Sequence, residues 1–114
     1  WFELYTRDYE ATVQFYTDIF GWDAHKGDNP EFAYTTLGEG EGALAGIMDA
    51  SGFLPEGVAP HWSVYFAVED ADATLARVVE LGGSVTRPAE DTPYGRLAVA
   101  SDPTGAAFKL MARR

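Results

Sequence analysis

The sequence contains no cysteine, which excludes a disulfide scaffold, a thiolate metal site and a cysteine nucleophile. The lack of disulfides fits a cytoplasmic protein. Basic residues are also scarce: 8 Lys and Arg stand against 18 Asp and Glu, a formal net charge of −10. Such a surface repels a phosphate backbone or an anionic bilayer, so neither nucleic acid nor membrane is an expected partner. No apolar run approaches the ~20 residues of a membrane span, and no signal-peptide pattern opens the chain. There is no initiator methionine, and the start at Trp1-Phe2-Glu3-Leu4 falls mid-pattern, as expected either of a trimmed chain or of one unit of a longer protein. Only two histidines, His25 and His61, are present, and there is no G-x-S-x-G, so a catalytic triad is poorly supported. What the chain does have is apolar and aromatic content, 46% and 14% of 114 residues. That is enough for one domain over 1–114 that buries about two-thirds of its unfolded surface.

The hydrophobic spacing predicts two helices. Val13, Tyr16 and Phe20, flanked by Ala11, Phe15 and Ile19, give an apolar face over Tyr9–Phe20. Asp8 is the expected cap and Gly21 the stop. Leu75, Val78, Val79 and Leu81 do the same for Ala71–Leu81, between Asp70 and Gly82-Gly83. The rest reads as strands: 1–6, a short one at 22–25, 32–37, 43–48, 61–68, 84–86, 97–100 and 106–111. Asp102-Pro103-Thr104-Gly105 has the residue order of a type I turn. At an offset of 62, Asp8 falls on Asp70, Ala11 on Ala73, Thr12 on Thr74, Val13 on Leu75, Ile19 on Leu81 and Gly21 on Gly83. The order is therefore βαβββ twice, an α+β fold, with repeats at 1–48 and 61–114 and a Gly- and Pro-punctuated linker at 49–60.

Few motifs carry chemistry. Gly38-Glu39-Gly40-Glu41-Gly42 lacks a following helix and carries two carboxylates, so it reads as a hairpin turn rather than a phosphate loop. Glu39, Glu41, Glu69, Asp70 and Asp72 fall at turns and helix starts, where solvated charge is the ordinary expectation. The period of two puts His61, Ser63 and Tyr65 on one face of their strand, and Trp1, Glu3 and Tyr5 on one face of theirs. If both faces look into one cavity, Glu3 and His61 meet there as an acid–base pair. The plainer reading of His61 is a strand-edge residue bonded to backbone.

The repeat, with Ala11, Phe15-Tyr16, Phe20-Gly21-Trp22, Val68-Glu69-Asp70-Ala71-Asp72, Leu81-Gly82-Gly83, Pro93-Tyr94-Gly95-Arg96 and Asp102-Pro103-Thr104-Gly105-Ala106, resembles the vicinal oxygen chelate superfamily over essentially the whole chain. That superfamily includes glyoxalase I, bleomycin-resistance proteins and extradiol dioxygenases. The resemblance implies two βαβββ modules that form a curved mixed-sheet pseudo-barrel around a cleft. In metal-dependent members the cleft holds a divalent metal through four side chains, usually His or Glu. Carried over by register, those positions are Trp1, Gly46, Ser63 and Lys109. None is a suitable ligand, so no cofactor is expected, and a divalent metal only at a non-standard site.

The expectation is a small-molecule-binding domain whose cleft is lined by Trp1, Tyr5, Ser63, Tyr65 and Lys109, either as aromatic walls around a ligand or filling the cup themselves. Lys109 is paired with Glu3 or held ready for an anionic ligand. The alternative is an enzyme of small carbonyl or aromatic substrates, a lyase, isomerase or dioxygenase-type protein, with Glu3 and His61 catalytic and Lys109 or Tyr65 as electrophile. The resemblance also implies a homodimer or a tandem domain partner.

Overall fold

The computed structural model describes residues 1–28 and 33–113. It contains two compact units, Trp1–Trp62 and Ser63–Arg114. Each carries one βαβββ module, so the fold is α+β as the repeat predicts. Among the described residues no helix is long and apolar enough to cross a membrane.

In the first unit, β1 (Phe2–Thr6) leads into α1 (Tyr9–Phe20), then β2 (Ala24–Lys26), β3 (Tyr34–Leu37) and β4 (Ala45–Asp49). The strand order is β2-β3-β4-β1. β1 runs parallel to β4, with Glu3 opposite Gly46, and the other pairs are antiparallel. Parallel pairing requires a crossover, and α1 belongs to it. Leu4, Leu37, Ala45 and Ile47 form the core, with Tyr9, Val13, Tyr16, Trp22 and Ala24 packed against it. Phe32, expected in β3, lies outside the described residues. The expected strand at 22–25 forms at Ala24–Lys26, because Trp22 is drawn into the core instead.

Asp8 does not cap α1 with its side chain, contrary to expectation. The Asp8 amide donates to Thr6 Oγ1 at 3.1 Å, and Thr12 Oγ1 donates to the Asp8 carbonyl at 2.6 Å. Gly21 stops the helix at φ 63°, a left-handed conformation that glycine adopts without steric cost.

The second module runs β5 (His61–Val68), α2 (Ala71–Glu80), β6 (Ser84–Thr92), β7 (Gly95–Ser101) and β8 (Ala107–Ala112), in strand order β5-β8-β7-β6. Here the expected cap forms: Asp70 Oδ1 accepts the Ala73 amide at 3.0 Å. Leu75, Ala98, Ala100 and Leu110 make a separate core. β6 is far longer than the expected 84–86. Its register shifts twice between Val85 and Glu90, on either side of Arg87, and it lies at the sheet edge. An edge position with bulges accommodates Pro88, which the sequence pattern treats as a breaker. The turn at 102–105 closes as expected, the Gly105 amide donating to the Asp102 carbonyl at 2.9 Å. The Asp102 carboxylate also accepts from Thr104 and the Ala106 amide, which holds its pKa below the usual carboxylate value.

Candidate functional site

Alternation along β1 sends Leu4 into the core and puts Glu3 and Tyr5 on the opposite face, where both are buried, each only 8% exposed. A buried carboxylate requires donors, and Glu3 has them. The Tyr5 phenol donates to Oε1 at 2.9 Å and the Tyr34 phenol to Oε2 at 2.7 Å. The Trp1 indole N–H sits 3.3 Å from Oε2 and 3.2 Å from the Tyr34 phenol oxygen, shared between the two. Three aromatic side chains thus converge on one anion.

Gly46 makes this possible. It lies opposite Glu3 in the β1–β4 register and diagonal to Tyr34 across β3–β4. A Cβ on Gly46 would stand 1.8 Å from the Tyr34 phenol oxygen and 2.3 Å from the ring carbon bearing it. The Tyr34 phenol therefore occupies the space a side chain at 46 would fill. Sequence reasoning missed Tyr34; the available signal was a glycine inside an apolar strand, which marks close approach by another group.

His61 does not depend on a ligand to orient it. Its Nδ1 donates to the Ala59 carbonyl at 2.8 Å, the backbone bond of the plainer reading. Its ring lies 5.5 Å from that of Tyr5, whose phenol is bonded to Glu3, so Tyr5 touches both expected catalytic residues. In the second unit, Tyr65 pairs with Lys109 across β5–β8, and Lys109 Nζ stands 5.3 Å from the Tyr65 ring centroid, within cation–π range. Ser63, two residues before Tyr65, is partly buried.

Of the four positions to which the resemblance carries the family's metal ligands, Trp1, Gly46, Ser63 and Lys109, three have side-chain chemistry that does not suit a metal. The Trp1 indole has no lone pair to donate, Gly46 has no side chain and its space is taken by Tyr34, and Lys109 brings an ammonium. Among the described residues no group of three or more His, Asp or Glu is placed to hold a metal ion. His25 is bonded to Asp23 at 2.7 Å, which raises its pKa, and forms an exposed pair.

Two βαβββ modules with parallel first and last strands define the class, a glyoxalase-type α+β domain. Residues 1–110 match the Glyoxalase/Bleomycin resistance protein/Dioxygenase superfamily, and the chain belongs to that family. It is 42% identical over 117 residues to the CFP32 protein of Mycobacterium tuberculosis, whose name carries a provisional glyoxylase assignment. That match covers 96% of this chain and 43% of the relative. The anthracycline biosynthesis protein DnrV of Streptomyces peucetius is 37% identical over 123 residues, covering 96% and 45% respectively. The chain thus spans less than half the length of these relatives. Among solved structures, methylmalonyl-CoA epimerase from Mycobacterium tuberculosis superposes with a TM-score of 0.66 at 19% identity, covering 99% of this chain and 85% of that one. The hypothetical protein BH1468 from Bacillus halodurans superposes with a TM-score of 0.72 at 12% identity, covering 99% and 91%. At such identities these two likenesses establish the fold.

Proposed function

We propose that this domain binds a small flat or amphipathic organic molecule without the family's usual metal. The observation that carries the reading is the Tyr34 phenol in the space of a side chain at 46, bonded to a Glu3 carboxylate that Tyr5 and Trp1 also engage. A carboxylate given to three protein donors has less to offer a cation. Trp1, Tyr5, Ser63 and Tyr65 supply contact surface and polar groups to the ligand, and Lys109 supplies a cationic handle for a carboxylate. The names of CFP32 and DnrV both point to small-molecule chemistry. We further propose a cytoplasmic protein that works as a homodimer or beside a second domain of its own kind, in keeping with relatives more than twice its length.

One observation favours a second reading, an enzyme of small carbonyl or aromatic compounds. Glu3 is a buried carboxylate, and Tyr5, whose phenol is bonded to it, packs its ring against His61, so a candidate acid and a candidate base stand on either side of one tyrosine.

A thermal-shift screen of carboxylate-bearing and neutral aromatic compounds, followed by calorimetry on the hits, tests the binding reading. Lys109→Met keeps most of the side-chain volume and removes the charge. It is expected to weaken carboxylate ligands by roughly tenfold, the value of one charge-assisted hydrogen bond, and neutral ones much less. Equal losses for both classes would make Lys109 structural. Turnover of a hit, abolished in Glu3→Gln and in His61→Gln, would favour the enzyme.

A further inference from the structure

α1 is apolar on two sides. Tyr9, Val13 and Tyr16 pack on the core of the first unit. Phe15 and Ile19, at i and i+4, share a different stripe and are more than half exposed, as is Phe20 at the end of the helix. None of the 12 residues of α1 is buried, whereas α2 buries Ala71 and Leu75. A helix with apolar residues beyond its core stripe has a second side to cover.

The exposed rings form one continuous face. Phe15 packs edge-on against Tyr16 at 5.2 Å between centroids, Trp62 packs edge-on against Tyr16 at 5.4 Å, and Phe20 stacks on Trp22 at 4.5 Å. The Trp62 indole donates to the Tyr16 phenol at 3.2 Å, which occupies the indole N–H and fixes the two rings relative to each other. Between α1 and residues 60–62 the face opens into a groove of about 430 Å³, walled by Ala11, Phe15, Tyr16 and Trp62 and floored by Leu4. Protein interfaces centre on aromatic surface around such a socket.

Charge narrows the choice of occupant. Trp1–Trp62 holds 11 Asp and Glu against 2 Lys and Arg, a net of −9, while Ser63–Arg114 holds 7 against 6, a net of −1. α1 itself carries Glu10 and Asp18 and no basic residue. Two α1 faces brought together therefore repel, and the nearly neutral unit is the part of this chain that accepts one. That unit has apolar surface to offer. Val79 and Leu81 are more than half exposed at the end of α2, and Val85, also exposed, follows the chain reversal at Gly82-Gly83. From Leu81 to Ala89 the sequence has no acidic residue and one basic one, Arg87.

We propose that the aromatic face of α1 docks on a second copy of this chain, at that copy's Val79, Leu81 and Val85, with Leu81 entering the groove beside Phe15. The inference rests on the reading that the domain works beside a second of its own kind, and it assigns the two surfaces. Relatives 42% and 37% identical carry more than as much chain again, the room that a second such domain needs. The contact joins unlike surfaces, so each copy brings one of each.

The test is sedimentation velocity of the parent, of Phe15→Ser/Ile19→Ser and of Leu81→Ser, each at about 100 µM, which populates contacts of micromolar strength. The parent is expected to sediment as a dimer or larger. Each variant alone should associate about tenfold more weakly or worse, the value of one buried apolar side chain. Mixing the two variants should restore association above that of either alone, because each brings the face that the other lacks. Urea midpoints should match the parent's, since the replaced side chains are exposed; Phe20→Ser replaces the α1 pair if its midpoint falls. A monomeric parent would overturn both this inference and the pairing reading. A parent that associates, with either variant associating as strongly, would overturn the inference alone, and so would variants that stay apart on mixing.

Discussion

Replacing Gly46 by alanine tests the construction of the Glu3 cluster with a single methyl group. The new Cβ would stand 1.8 Å from the Tyr34 phenol oxygen and 2.3 Å from the adjoining ring carbon. No small torsion relieves a clash with both atoms of a rigid ring, so the whole phenol must swing away by more than an ångström. That movement breaks the 2.7 Å bond to Glu3 and the 3.2 Å contact with Trp1. A hydrogen bond to a charged group is worth about 1.5–3 kcal/mol, and Glu3 keeps its Tyr5 bond, so the lower part of that range applies. With some overpacking strain added, Gly46→Ala should cost about 2–3 kcal/mol. Urea unfolding followed by fluorescence would show a midpoint lowered by about 1–2 M, at the m-value usual for a small domain. The double variant Gly46→Ala/Tyr34→Ala decides the cause. Once the ring is gone the methyl has nothing to strike, so the two costs should fall short of additivity by about 1 kcal/mol or more. A Gly46→Ala variant within about 0.5 kcal/mol of the parent, the ordinary scatter of surface changes, would refute the reasoning, and so would strict additivity.

Two further predictions concern the repeat and its charges. Asp70→Ala should destabilise by about 1 kcal/mol, the usual value of an N-cap, while Asp8→Ala at the equivalent position should cost only a few tenths, measured by urea unfolding of each. Equal costs would mean that Asp8 caps in solution. Arg96 donates to Asp72 at 2.6 Å and to Asp91 at 3.2 Å, and its bond to Asp72 depresses the pKa of that carboxyl. A carboxyl whose folded pKa is depressed contributes stability above its unfolded value, and the contribution is lost as pH falls through the folded value. Arg96→Met should therefore be less stable than the parent at pH 7, and the gap should narrow as the pH falls below 3.8, the ordinary value of an aspartate carboxyl. A gap independent of pH, read from denaturant midpoints at pH 7 and pH 3, would assign the loss to packing.

The sequence pattern reached some elements and not others for identifiable reasons. Both helices were legible because apolar spacing and glycine stops agree there, and α2 also because its cap Asp70 forms as expected, while β5 was legible from its aromatic and β-branched run. The same agreement failed at Asp8, where two threonines close a hydrogen-bond circuit that no periodicity displays. β6 was cut short by Pro88, whose acceptance depends on an edge position that only the sheet order reveals. In the candidate site, Trp1, Glu3 and Tyr5 could be grouped from strand alternation, as could His61, Ser63 and Tyr65, while Lys109 came from the family resemblance. Tyr34 could not, since its approach to Glu3 depends on the β3–β4 register and on the missing Cβ of Gly46. Phe15 was misplaced as well, because the pattern puts it on the apolar face of α1 whereas the fold leaves it 56% exposed.

The central claim is that Tyr34 and the Glu3 cluster stand in place of the family's metal centre. Elemental analysis of untagged protein, dialysed against each of zinc, nickel, iron and manganese and then against buffer, tests it directly. The account predicts no stoichiometric retention of any of the four, before or after the exchange. One equivalent of metal retained by the parent, and lost in Glu3→Ala or His61→Ala, would contradict it.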